Sequence, residues 1–195
     1  ELGVRGYYIR TYTYLAAGSQ EPFTIARESA GTFDSVVERG AGQPIDLEQV
    51  LSGIEGDTLE VKGSLILNVD RYIFESHQPT QFEDRIALDG VLKTTVGFLN
   101  SQGGLIVIGA LERRRYEKIL NKDGNPFRGK PSVGEWIVTG VDAEFKRTKN
   151  MDGYILLLAD LIKDHIGGDA SALVTIQPIL FRGEHLVVVK VPKGP

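Results

Sequence analysis

The stretch Asn100-Ser-Gln-Gly103-Gly104-Leu-Ile-Val-Ile-Gly109-Ala-Leu-Glu112 decides the fold of this chain. Residues 105–110 are a short, continuous apolar run rich in β-branched side chains, which is typical of a strand buried at the centre of a sheet. Before it, the apolar positions of residues 86–99 recur at helical spacing. Asn100 and Gly103 end that pattern, so we expect a helix that leads into a central strand.

The rest of the pattern predicts an α+β domain with a mixed, largely antiparallel sheet and two principal helices. The second helix is capped by Asn150 or Asp152 and ends at Gly167-Gly168. Further strands are expected over residues 60–67, 136–141, 173–181 and 185–191, and residues 68–85 look irregular. Pro178 favours an edge position for its strand, because proline has no N–H to donate to a neighbour. Gly90 and Gly97 each cost the first helix about 1 kcal/mol, so we expect close packing at both.

Length and composition suit one compact domain with an appendage, since the chain has 195 residues and 25% charged side chains. We divide it into an N-terminal segment, residues 1–45, and a domain over residues 46–195. The segment holds one strand within residues 6–17, which either completes the sheet or is a foreign tail. The absence of cysteine fits the reducing cytoplasm, and no apolar run is long enough to span a membrane.

Two glutamates stand five residues apart in Glu55-Gly-Asp-Thr-Leu-Glu60-Val-Lys62. Strand side chains alternate between faces, so Glu60 and Lys62 share one face. Glu55 would point away along a continuous strand, but Gly56-Asp57 is a turn dipeptide whose reversal could bring it back beside Glu60. The alternative is an ordinary surface strand with a solvated Glu–Lys pair.

The chain from about Ile54 to Pro192, which includes residues 55–62 and 100–112, resembles the Alba-like domain of the Schlafen family, whose bacterial members were once called a divergent AAA domain. The family pattern is Glu, four residues and Glu-Phe-Lys, then a helix, Gly-Gly, an apolar strand and Gly-Val-Asp. Val61 replaces the Phe here, Gly103-Gly104 match the glycine pair, and Glu112 replaces the final Asp. Residues 137–142 and 186–192 resemble the later strands of the family.

The resemblance implies a metal-dependent ribonuclease site. Glu55, Glu60 and Glu112 would be catalytic residues and ligands of Mg²⁺ or Mn²⁺, because carboxylate oxygens suit such hard cations. Lys62 would contact the phosphate or orient Glu60. We expect no ATP, because no Gly-Lys-Ser/Thr follows the glycines as it would in a phosphate-binding loop.

A basic stretch interrupts an otherwise acidic chain of net charge −4. Residues 113–149 hold ten Lys and Arg against five acids, and residues 113–135 read as a basic insertion. Such a lobe beside carboxylates could bind a phosphate backbone, while the alternative is a solvated loop. The candidate nucleic-acid-binding residues are Arg113, Arg114, Arg115, Lys118, Lys130, Lys146 and Arg147.

We therefore expect a domain that binds or processes nucleic acid, RNA or DNA, with RNA favoured and a metal-dependent endoribonuclease as the sharpest form. The alternative is a non-catalytic nucleic-acid-binding or assembly module of a larger bacterial regulator. We also expect a homodimer or pairing with a similar domain, because eukaryotic Schlafens place two such lobes side by side.

Overall fold

A computed structural model describes residues 7–14, 23–30, 45–53, 55–74, 85–120, 125 and 127–194. The chain divides into two units, residues 1–45 and residues 46–195. In the first, β1 Tyr7–Tyr14 pairs antiparallel with β2 Phe23–Ala30. The sequence pattern predicted β1 and assigned no element to β2, and the remainder of 18–45 lies largely outside the described residues. That β1 completes the main sheet stays a prediction.

The second unit contains seven α-helices and seven strands among the described residues. The helices are α1 Leu47–Ser52, α2 Val69–Phe74, α3 Arg85–Leu99, α4 Arg113–Leu120, α5 Phe145–Thr148, α6 Met151–His165 and α7 Gly168–Leu173. The strands are β3 Leu59–Lys62, β4 Gly104–Ile108, β5 Ala110–Glu112, β6 Ser132–Val133, β7 Trp136–Val138, β8 Thr175–Phe181 and β9 Glu184–Val191.

Two sheets organise this unit, and they confirm the predicted α+β class. The main sheet has the order β3-β4-β9-β8, with β3 parallel to β4 and the other neighbours antiparallel. A smaller antiparallel sheet has the order β5-β7-β6. The two principal helices are α3 and α6, of 15 residues each. Pro178 lies in β8, an edge strand, as its missing N–H requires.

The core lies where α3 and α6 cover the main sheet. β4 and β9 contribute fully buried apolar side chains, as expected of a central strand. The apolar run at residues 105–110 is not one strand, because β4 ends at Ile108 and Ala110 begins β5 of the smaller sheet. The helices add Val91, Leu158 and Ile162 to the same cluster. The predicted cap of α6 is present, because Asn150 Oδ1 accepts the Gly153 N–H at 2.9 Å. This packing fixes the strand ends from which the candidate site projects.

Three local expectations were wrong. The strand predicted over residues 60–67 ends at Lys62, and residues 69–74 form α2 instead of an irregular stretch. Close packing does not explain Gly97, because a Cβ placed there would meet no atom within 4 Å.

The early end of β3 has a physical cause in the buried carboxylate of Glu144. Only 3% of this residue is exposed, and its oxygens accept the N–H groups of Leu65 at 3.2 Å and Ile66 at 2.8 Å. The Tyr154 hydroxyl also donates to it, at 3.4 Å. These backbone groups are therefore satisfied by a side chain instead of a neighbouring strand.

Burial raises the pKa of Glu144 from 4.5 to about 7, and the hydrogen bonds from Ile66, Ser64, Leu65 and Tyr154 only partly oppose that rise. The folded protein then binds this proton more tightly than the unfolded chain does. The free energy of unfolding therefore falls as the pH rises from about 4.5 to about 7, and the contribution of this group is complete only below that window.

We predict that Glu144→Gln removes this part of the pH dependence. From about pH 5 to about pH 8, the free energy of unfolding of the wild type should fall by about 2–3 kcal/mol relative to that of the variant, since one pKa unit corresponds to about 1.4 kcal/mol. Urea unfolding of both proteins at the two pH values measures it. Glu135→Gln, the same change at an exposed position, is the control, and parallel profiles for wild type and Glu144→Gln would contradict the account.

Candidate acidic site and basic helix

The turn at Gly56-Asp57 folds the chain back on itself, as its sequence predicts. Gly56 forms an antiparallel bridge with Leu59, and its N–H donates to the Leu59 carbonyl at 3.1 Å. Glu55 therefore lies beside β3, where its Oε1 accepts the Val61 N–H at 2.7 Å. One hydrogen bond thus attaches the first candidate carboxylate to the strand that bears the second.

Glu60 and Lys62 lie on the same face of β3, and their side chains form an ion pair. Each side chain is 30% exposed, so the pair is neither a solvated surface contact nor a core contact. Val61, between them, points the other way and is buried. The alternation expected of a strand therefore holds at these three positions.

Gly109 brings the third carboxylate to the same region. Its φ of 110° is in the range that favours glycine, and a Cβ there would lie 3.2 Å from the Gly140 backbone. The Gly109 N–H donates to the Lys62 carbonyl at 2.8 Å. The bend at this residue turns the chain from β4 into β5, which ends at Glu112, opposite Trp136 of β7.

The four predicted site residues share one electrostatic environment. Glu55 is exposed as a residue, but its carboxylate lies against the β3 backbone, and burial is the largest cause of its raised pKa. The charges of Glu60 and Glu112 raise that pKa further, while the Val61 N–H and the charge of Lys62 lower it. Glu55 is therefore within electrostatic range of all three other residues.

Electrostatic range is not coordination geometry. Within the described ranges, no group of three or more His, Asp or Glu side chains is positioned to hold a metal ion. Carboxylates suit Mg²⁺ or Mn²⁺ by chemistry, but ligand oxygens must converge to about 2.0–2.6 Å from the ion. The three carboxylates are therefore suitable ligands by chemical type, but their described side-chain positions do not converge on one metal ion.

The basic residues follow Glu112 directly, because Arg113, Arg114 and Arg115 open α4. All three are exposed. Arg113 Nε lies 3.7 Å from Glu117 Oε1, and the Arg115 guanidinium forms an ion pair with the Asp70 carboxylate. Arg114 has no ion-pair partner in the part of the chain that the structure describes.

Asp70 is a site residue that sequence reasoning missed. It pairs with Arg115 and accepts the Tyr116 hydroxyl at 2.7 Å. Burial is the main cause of a raised pKa at Tyr116, to which the Asp70 bond and the charge of Glu112 add. Asn68 is the sequence signal that could have predicted α2, because asparagine is favoured just before the first residue of a helix. In the structure its side-chain oxygen accepts the Arg71 N–H at 3.0 Å, and Asp70 lies in the first turn of that helix.

The other predicted basic residues are distributed over several elements of the larger unit. Lys130 forms a partly buried ion pair with Glu184, next to the β8–β9 turn. Lys146 and Arg147 are exposed on α5. Lys118 belongs to α4, but its side chain lies outside the described residues.

The described helices include none that is long and apolar enough to cross a membrane. No significant match is found among curated proteins or among solved structures. A family model with the description "Schlafen, AlbA_2" matches residues 55–195, from the first candidate glutamate to the last residue. The match covers well over half of the chain, and this chain belongs to the Schlafen AlbA_2 family.

Proposed function

We propose that this domain binds single-stranded RNA in the cytoplasm and processes it. Membership of the family supports a nucleic-acid-related domain, and one observation carries the proposal further. Glu112 ends β5, and the next three residues are arginines that begin α4. A carboxylate site therefore adjoins three guanidinium groups, which suit phosphate oxygens through paired hydrogen bonds.

The position of these arginines supports a phosphate-binding role. Cations in the first turn of a helix are unfavourable, because the N-terminal end already carries partial positive charge. α4 has no acidic residue in that turn to offset them. Arg113 and Arg115 have carboxylate partners outside that turn, whereas Arg114 has no ion-pair partner among the described residues, and a bound phosphate would supply one.

The sharper form of the proposal is a metal-dependent endoribonuclease. Glu55, Glu60 and Glu112 would hold Mg²⁺ or Mn²⁺, and Lys62 would contact the phosphate or orient Glu60. This form requires side-chain positions other than those described, because the three carboxylates do not converge on one point.

A non-catalytic RNA- or DNA-binding module is the second candidate, and a specific observation favours it. The Lys62 ammonium already pairs with Glu60, so a cationic group of the protein itself compensates the central carboxylate. Under this reading the acidic site orders β3 and the turn, and Arg113–115 supply the binding.

We also propose that two copies associate, as a two-fold dimer, the commonest symmetric assembly. A dimer would double the basic surface available to one RNA strand. Sedimentation velocity at tens of micromolar protein should show the dimer, and a monomer throughout that range would remove the idea.

One experiment tests the proposed function in two steps. Binding of a labelled single-stranded RNA is measured across a series of salt concentrations for the wild type and for the triple variant R113A/R114A/R115A. Each phosphate contact contributes about −0.7 to the slope of log K against log salt for single strands. We expect the triple variant to flatten that slope by up to about two.

The control neutralises three exposed lysines elsewhere, Lys163, Lys190 and Lys193, and should leave the slope nearly unchanged. An equal flattening of the salt slope in the triple arginine variant and in the lysine control would contradict the assignment of phosphate binding to α4. In the second step, the same RNA is incubated with and without Mn²⁺. Metal-dependent cleavage that is lost in Glu60→Gln supports the nuclease, and intact binding without cleavage leaves the non-catalytic module.

A further inference from the structure

A surface cavity, widely open to solvent, lies between the Gly56-Asp57 turn and the C-terminal part of α3. Its volume is about 320 Å³, at the lower end of the range of about 300–1,000 Å³ for small-molecule sites. The turn that forms one wall is the turn that returns Glu55 to β3. Its lining residues are Gly56, Asp57, Thr94, Gly97, Phe98, Ser101 and Gln102.

Two glycines hold this space open. A Cβ placed on Gly56 or on Gly97 would meet no atom within 4 Å. Gly104, in β4, differs, because a Cβ there would lie 2.7 Å from the Phe98 ring, so packing demands that glycine. Gly97 weakens α3 without any packing need, and its effect on the molecule is to leave the cavity empty.

The lining chemistry suits a flat, polar heterocycle. Asp57 offers a carboxylate, which accepts hydrogen bonds through two oxygens, and Gln102 offers both donors and an acceptor. The Thr94 hydroxyl donates to the Gly90 carbonyl at 2.9 Å, so its oxygen retains accepting capacity. Phe98 adds an apolar surface.

Guanine matches this set better than uracil does. Its Watson–Crick edge presents two adjacent N–H donors, which a single carboxylate can accept together. Uracil presents one N–H between two carbonyl oxygens, and those oxygens would face the negative charge of Asp57. Proteins commonly read unstacked RNA bases through this edge.

We propose that the cavity binds one unpaired base of single-stranded RNA and prefers guanine to uracil. The inference rests on the proposed function and adds a base-recognition subsite to it. Because Asp57 follows Glu55 by two residues, the cavity adjoins the turn that carries the first carboxylate of the acidic site.

The test compares two labelled RNA probes, an oligouridine nonamer and the same nonamer with guanine at its centre. For the wild type we expect the guanine probe to bind about tenfold more tightly, which is the lower end of what hydrogen bonds to a charged group contribute. Gly97→Leu places a side chain in the cavity and should bring the ratio near one, chiefly by weakening the binding of the guanine probe. Asp57→Asn should reduce the ratio too.

Gly168→Leu is the matched control, because Gly168 is also helical, exposed and free of any atom within 4 Å of its Cβ position. It should keep the wild-type ratio. A guanine preference that survives in Gly97→Leu overturns the subsite, and so does a wild-type ratio near one. In those cases salt-dependent binding of oligouridine keeps the proposed function, whereas a wild type that binds neither probe overturns both.

Discussion

The backbone of Gly109 joins the two sheets of the larger unit. Its N–H donates to the Lys62 carbonyl of β3, and its own carbonyl accepts the N–H groups of Thr139 and Gly140 at 2.9 Å each. A residue with a side chain would be strained at this φ and crowded against Gly140. β4 can therefore stay in the main sheet while β5 leaves for the smaller one. Without that bend, Glu112 and the arginines after it would continue along β4, away from β3.

A second interaction, the hydrogen bond from the Val61 N–H to Glu55 Oε1, holds the first carboxylate of the acidic site beside β3. This bond lowers the free energy of the charged carboxylate, while burial and the charges of Glu60 and Glu112 raise it. Lys62 partly compensates the repulsion. The site therefore keeps three carboxylates within electrostatic range of one another, directly before the arginines that begin α4. Carboxylates and guanidinium groups side by side are what a domain needs to hold phosphate near acidic chemistry.

Much of the fold could be predicted from the sequence, because its signals are local and agree with one another. The helical spacing of residues 86–99 predicts α3, and the apolar run at residues 105–110 predicts the buried central strand, although the bend at Gly109 divides that run between β4 and β5. The turn at Gly56-Asp57 and the cap at Asn150 are also local, since they depend on the residues themselves. The alternation of Glu60, Val61 and Lys62 then placed two site residues on one face.

What the sequence did not reveal depends on contacts between distant residues. Glu144 accepts the N–H groups of Leu65 and Ile66, almost eighty positions earlier in the chain, so β3 ends before them. No local sequence pattern at either place predicts this contact. Asp70 receives Arg115 from 45 positions away. The cavity beside Gly97 exists only once α3 packs next to the turn, so the glycine alone looked like a packing residue. How three carboxylates converge also depends on such contacts, because spacing along the chain does not fix it.

The central claim is that the turn at Gly56-Asp57 and the bend at Gly109 bring Glu55, Glu60 and Glu112 into one electrostatic site. The most direct measurement is the pKa of the Glu55 carboxyl by NMR titration in the wild type, in Glu60→Gln and in Glu112→Gln. The account predicts a pKa above the usual value of 4.5 in the wild type. It predicts a lower pKa in each variant, since each removes a repelling charge, and no change in the exposed control Glu135→Gln. A Glu55 pKa that is the same in all four proteins would contradict the claim.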